Sequence, residues 1–309
     1  MKKIFTIILC KLSVLGCAQK SQEHTPGTLQ RIESFQSEYI TARHVDVWLP
    51  EGYREDKKYA VLYMHDGQML FDETTTWNKQ AWNIDDVATT LIRENKVQEF
   101  IVVGVWNGGE TRHADYFPEK PFEALSPIEK EYVRAMLREA GRTEQDFQPN
   151  SDNYLLFLVN ELKPYIDKNF SVYTQPDQTF IAGSSMGGLI SLYAICEYPE
   201  VFGGAACLST HWPGIFNVEN NPVPDAFANY LSAHLPDPHS HKIYFDYGDQ
   251  TLDAFYPPLQ EKMDEVLRAH GFTEETWVTR FFPGDDHSEN AWHGRLHIPL
   301  EFLLGTSEE

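Results

Sequence analysis

Thr179-Phe-Ile-Ala-Gly-Ser-Ser-Met-Gly-Gly188 is the stretch on which the reading of this 309-residue chain turns. An apolar run ends at Ala182, and an apolar segment of helical character runs from Met186 to Tyr198. Between them, Gly183-Ser184-Ser185-Met186-Gly187 fits the pattern Gly-x-Ser-x-Gly. A serine at a sharp strand-to-helix bend is lifted above the end of a sheet. Glycines flank it because a side chain there would strike neighbouring backbone. The same bend aims the N–H of Met186, at a helix start, toward an oxygen that gains negative charge during reaction. Ser185 is therefore a candidate nucleophile and Met186 a candidate oxyanion donor.

Outward from this stretch, strand-length apolar runs alternate with helical patterns. Residues 38–49 alternate in polarity and predict early antiparallel strands. Tyr59 to Met64 and Phe100 to Trp106 are continuous apolar runs, as buried parallel strands require. Further strands are predicted at Gly203 to Ser209, Lys242 to Tyr247 and Thr276 to Phe282. Helices are predicted at Trp82 to Ile92, Gln260 to Ala269 and Ala291 to Leu304, and at Tyr154 to Ile166 with Ser151 or Asp152 as its cap. This alternation predicts an α/β domain with a mainly parallel central sheet and helices on both faces. With a serine elbow at a strand end, that is the α/β-hydrolase fold. Residues 109–150 break the pattern, being rich in charge and proline with one helical stretch from Pro127 to Ala140. They read as an inserted, cap-like segment within a single domain of 28–309.

A serine hydroxyl is a weak nucleophile near neutral pH. It needs a base within hydrogen-bond reach and an acid to orient that base. In this fold the chain order is serine, acid, histidine. Among twelve histidines, His287 directly follows the last strand, in Phe282-Pro-Gly-Asp-Asp-His287. Loops at the carboxyl ends of parallel strands are where function collects. The acid should follow Lys242 to Tyr247, which offers Asp253, Asp249 and Asp246, with Asp253 preferred. The second oxyanion donor should come from the loop His65-Asp-Gly-Gln68, through the Gln68 N–H. Trp106, Arg112, His211, Trp212 and Trp292 fall on or near strand-end loops and are candidate substrate contacts. His293 and His297 lie four apart, yet no third ligand accompanies them, so they read as helix-surface or packing histidines and not as a metal site.

The landmarks Trp48-Leu-Pro-Glu-Gly-Tyr53, Leu62-Tyr-Met-His-Asp-Gly-Gln68, Arg112 with Tyr116-Phe-Pro118, Gly183-Ser-Ser-Met-Gly-Gly188, Tyr244-Phe-Asp-Tyr-Gly248 and His287-Ser-Glu-Asn-Ala-Trp292 resemble the putative-esterase family of α/β-hydrolases. The resemblance runs from about Val45 to Leu303. That family groups S-formylglutathione hydrolases, enterochelin-type siderophore esterases, mycolyltransferases and family 1 carbohydrate esterases. It implies a serine carboxylic ester hydrolase with Ser185 as nucleophile, His287 as base, Asp253 as acid, and Gln68 and Met186 as oxyanion donors. It implies no cofactor. Acetyl or feruloyl esters of carbohydrates are the leading substrate expectation. A siderophore trilactone is the alternative, disfavoured by the acidity of the chain. Transfer to another alcohol, and an inactive lipid-anchored binding protein, are the remaining readings.

The formal charge is −21, which repels phosphate backbones and anionic lipid and argues against nucleic acid as a partner. Lys2 and Lys3 precede an apolar stretch too short to span a membrane, ending at Val14-Leu-Gly-Cys17. Residues 1–17 resemble a bacterial lipoprotein signal, with Cys17 lipidated, residues 18–27 as tether, and an exported domain touching the membrane only through its anchor. Cys196 and Cys207 sit in apolar runs and read as buried free thiols.

Overall fold

The computed structural model describes residues 27–143 and 146–306. The lipidation and tether expectations, Cys17 included, lie outside the described residues. Eight strands form one sheet: β1 (Thr28–Phe35), β2 (Arg43–Leu49), β3 (Ala60–His65), β4 (Phe100–Val105), β5 (Thr179–Ser184), β6 (Gly204–Leu208), β7 (Lys242–Tyr247) and β8 (Trp277–Phe281). Their spatial order is β1-β2-β4-β3-β5-β6-β7-β8. The β1–β2 and β2–β4 pairs are antiparallel, and the others are parallel.

Strand alternation sorts the core onto two faces. Val61, Tyr63, Ile181, Ala205 and Ile243 point to the larger cluster, with the helices Met186–Glu197, Val223–His234 and Pro257–His270. Leu62, Met64, Ala182, Ala206 and Tyr244 point to the other, beneath Ile84–Arg93 and the carboxyl-terminal helices. Close packing sets residue size at the centre. A Cβ on Gly204 would stand 2.8 Å from Leu303 and 3.0 Å from Phe180. This is the mainly parallel sheet, clothed on both sides, that the alternation predicts.

Several details differ from expectation. The first strand begins at Thr28, while residues 38–42 are not strand. β1 is an edge strand with mostly exposed side chains, so it lacks the apolar face that marks a strand. The helix expected from Tyr154 instead starts at Ser151 behind Asn150, widens into a π turn at Phe157–Leu162, and resumes as Lys163–Asn169. Pro164 has no N–H for the α-helical ladder and its ring crowds the preceding turn, which the wider turn relieves. Ser151 does not cap this helix; its hydroxyl accepts from the Glu119 N–H at 2.9 Å. The last helix divides into Glu289–Arg295 and His297–Leu304, ahead of Pro299. Val223–His234 was not expected as a helix, because Pro222 and Pro224 mask its start.

The 109–150 segment is no detached cap. Phe117, Phe122, Val133, Leu137 and Phe147 enter the larger core. A buried Arg43–Asp115 pair at 3.1 Å ties the segment to β2. Cys196 and Cys207 are buried and free. No helix among the described residues is long and apolar enough to cross a membrane.

Candidate active site

Ser185 joins β5 to the helix Met186–Glu197 with φ 58° and ψ −121°. A non-glycine residue held there costs about 1–3 kcal/mol and persists only where surroundings impose it. The surroundings here are specific. The Ser185 N–H donates to Leu208 O at 2.9 Å, and Ser185 O accepts from the N–H groups of Gly188 at 3.0 Å and His211 at 3.1 Å. A Cβ on Gly183 would meet Gly187 backbone at 2.8 Å, and one on Gly188 would meet the Thr210 hydroxyl at 2.8 Å. Glycine is therefore required by close approach across the bend.

The loop after β3 runs alongside. Asp66 adopts a left-handed φ of 55°, and Gly67–Met69 form a short 3₁₀ turn. A Cβ on Gly67 would lie 2.6 Å from the Gly104 carbonyl, so only glycine lets this loop press against β4. Gln68 and Met186 both line the cavity that Ser185 lines. Their backbone N–H groups lie at the starts of helical turns, where no carbonyl stands one turn earlier to receive them.

His287 reaches the same cavity from the loop after β8. Its Nδ1 lies 2.6 Å from Asp253 Oδ1, and its own N–H donates to the Thr251 hydroxyl at 2.9 Å. The ring stands edge-to-face on Trp292, centroids 5.0 Å apart, and on Tyr256 at 5.8 Å. With Nδ1 engaged, Nε2 is the nitrogen left for the cavity. Asp253 is fully buried in the turn Thr251–Phe255, where Oδ2 accepts from the Gly248 N–H at 2.7 Å. Burial pushes its carboxyl up, but His287, the Ser209 hydroxyl and Gly248 outweigh burial and hold it below the usual carboxylate range.

Of the three candidate acids, Asp253 alone among the described residues bonds His287. Asp246 is buried against Arg295 at 2.9 Å, and burial lifts its pKa to about 6. Asp249 is half-buried and accepts from the Gly284 N–H at 2.9 Å, closing a turn.

The candidate substrate contacts divide. Arg112, His211 and Trp292 line the cavity; Trp106 and Trp212 do not. Trp106 directly follows β4 and is turned toward β1 and β2, its indole N–H donating to Asp46 at 2.7 Å and its ring under Arg31. Trp212 is sealed in the core, donating to Gln260 at 2.8 Å. For these two, strand-end position suggested a contact that inward hydrogen bonds forbid. Arg112 forms a two-pronged pair with Asp66, both bonds 2.7 Å. Burial alone pushes its pKa down, and the Asp66 carboxylate more than reverses that. His211 is buried, its Nδ1 2.8 Å from the Tyr256 hydroxyl, and burial holds its pKa far below normal. His293 bonds the Trp82 carbonyl at 2.7 Å. No set of three or more His, Cys, Asp or Glu side chains among the described residues is arranged for a metal.

Sequence reasoning missed Ser209, which bonds Asp253, and Tyr256, which packs on His287. Ser209 directly follows β6, and that position at a strand's carboxyl end was the available signal; Tyr256 comes only after the turn Thr251–Phe255 and carried none.

The cavity has a volume of about 1570 Å³ and runs from the elbow over the 109–150 segment. Glu38, Asp66, Glu110, Asp115, Asp146 and Glu289 line it against Arg112 and Arg142, so its charge is net negative.

Residues 37–297 match the model of a family described as "Putative esterase". The uncharacterised protein YbbA of Bacillus subtilis is 23% identical over 270 residues, covering 85% of this chain and 93% of YbbA. An endo-1,4-beta-xylanase/feruloyl esterase of Xylanibacter ruminicola is 24% identical over 90% of this chain, a match to 31% of that longer protein. Among solved structures, a CE1 ferulic acid esterase from Anaeromyces mucronatus superimposes with a TM-score of 0.61 at 22% identity, covering 92% of this chain and 93% of its own.

Proposed function

This chain belongs to the putative esterase family and is a carboxylic ester hydrolase; from that premise we propose that it works through an acyl-enzyme on Ser185 and cleaves acetyl or feruloyl esters of carbohydrates. The observation that carries the mechanism is the 2.6 Å contact between His287 Nδ1 and buried Asp253, at a cavity that His287 shares with Ser185. Asp253 fixes the tautomer in which Nε2 lacks a proton and can take one from Ser185. The Ser185 oxygen attacks the ester carbonyl, and the Met186 and Gln68 N–H groups receive the oxyanion. Loss of one such donor typically slows reaction about 100- to 1,000-fold. His287 returns the proton to the departing alcohol, and water repeats the cycle to free the acid and Ser185.

Three observations favour a neutral sugar ester. The cavity exceeds the usual size of a small-ligand site (roughly 300–1,000 Å³) and so has room for a sugar beside an acyl group. Its net negative lining disfavours an anionic trilactone. The feruloyl esterase activity named for the Xylanibacter relative points the same way. The test is a panel of acetylated and feruloylated oligosaccharides and catechol trilactones on wild type and Ser185→Ala. Sugar esters are cleaved by wild type only. Exclusive cleavage of trilactones would reject the substrate reading, and full activity in Ser185→Ala would reject the mechanism.

The anchor belongs to the same proposal. Val14-Leu-Gly-Cys17 supports export and acylation at Cys17. Metabolic labelling with a fatty acid should be lost in Cys17→Ser, and persistent label in that variant refutes the assignment.

A further inference from the structure

We propose that Trp77 is the platform on which the sugar of the departing alcohol rests. The inference depends on the carbohydrate-ester reading and adds to it the place where the sugar sits.

Trp77 is 85% exposed and lines the cavity. An indole left this open presents a large apolar face to water. The loop bearing it is nonetheless fixed on both sides. Thr76 is buried and its hydroxyl donates to Glu73 O at 3.0 Å, while Asn78 Nδ2 donates to Glu289 Oε2 at 2.7 Å. The Asn290 N–H donates to Gln80 Oε1 at 3.3 Å, and His293 Nδ1 bonds the Trp82 carbonyl at 2.7 Å. Residues 78–82 are thereby tied to 289–293, the segment that follows His287. Trp77 stands on a rigid rim on the histidine's side of the cavity.

Chemistry gives that side its meaning. In acyl transfer the base becomes the acid that protonates the leaving oxygen, so the departing group lies beside the histidine. His211, whose ring packs on Phe216 at 5.3 Å and whose backbone N–H bonds Ser185 O, lies next to the nucleophile, away from the tie between residues 78–82 and 289–293. A neutral sugar ring carries an apolar C–H face that covers an indole while its hydroxyls stay hydrated. The acidic side chains of the lining suit such hydroxyls and repel anions.

The test compares a feruloylated arabinoxylan oligosaccharide with methyl ferulate on wild type, Trp77→Ala and Trp77→Phe. Trp77→Ala should raise the ratio of KM for the sugar ester over KM for the methyl ester about tenfold with kcat for the sugar ester little changed, and Trp77→Phe should recover most of it. In the Ser185→Ala background, calorimetry should show Trp77→Ala weakening the Kd for the sugar ester by a similar factor. An unchanged ratio and Kd overturn the platform while leaving the esterase reading intact. Wild type that cleaves methyl ferulate but neither cleaves nor binds the sugar ester overturns the carbohydrate reading, and the platform with it.

Discussion

The Ser209 hydroxyl lies 2.6 Å from Asp253 Oδ2 and donates its proton there. Ser209 Oγ also accepts from Trp292 Nε1 and from Arg295, each at 2.9 Å. With both acceptor positions filled, its hydrogen has Asp253 as its target. Ser209 therefore fixes the carboxylate that fixes the histidine, and is a positioning residue. Ser209→Ala should lower kcat about tenfold with little change in KM, and cost about 1–3 kcal/mol for the buried groups left unpaired. Steady-state kinetics and denaturant titration give both numbers; a stability loss without a kcat loss makes the role purely structural.

Asp253→Asn keeps the shape but offers an N–H where His287 needs an acceptor. The imidazole then settles in the wrong tautomer, and kcat should fall on the order of 1,000- to 10,000-fold. Asp249→Asn, in a half-buried surface turn that does not touch His287, should stay within about twofold of wild type. Equal losses in the two variants would show that the acid has been misassigned.

The Arg112–Asp66 pair braces the left-handed residue that begins the Gln68 turn, and Asn107 Nδ2 adds a 2.6 Å bond to the same carboxylate. Arg112→Lys replaces a planar fork with a point charge. It should reduce kcat about tenfold, part of the penalty for losing an oxyanion donor outright. If Arg112→Lys instead raises KM alone, the arginine binds substrate and does not steady the loop.

Burial pushes Asp85, Asp246 and Asp264 up to about 6. For Asp85 the neighbouring Asp86 charge adds to burial, and Oδ1 has no partner. A carboxyl with a higher pKa folded than unfolded keeps its proton longer in the folded state. These groups therefore make stability fall as pH rises from about 4 to about 6. Asp253, held low, acts oppositely: its contribution is present above its unfolded pKa and is lost in stronger acid. Asp85→Asn should flatten the decline between about pH 4 and pH 6. Denaturant midpoints across that range would show it; a slope identical to wild type removes Asp85 from the account.

The sequence was legible where local chemistry and tertiary role coincide. β3, β4 and β5 are buried throughout and mostly apolar because both faces are covered, and the elbow declares itself through its glycines. β1 was hidden because an edge strand with exposed side chains looks like loop. Ser209 was hidden because its importance comes from Asp253, Trp292 and Arg295, which are 44, 83 and 86 residues away. Trp106 and Trp212 misled for the same reason, since their indole partners Asp46 and Gln260 are distant in sequence.

β8 lies at the margin of the sheet, and its five residues are half-exposed or exposed. His287 hangs from the loop that leaves it, whereas Ser185 grows from a strand embedded at the centre. Marginal strands open at lower free energy than central ones. On warming, the catalytic base should drift from its post while the nucleophile stays at its own. Hydrolysis would then fade reversibly some degrees before the far-ultraviolet signal moves, leaving a folded protein with a silent serine.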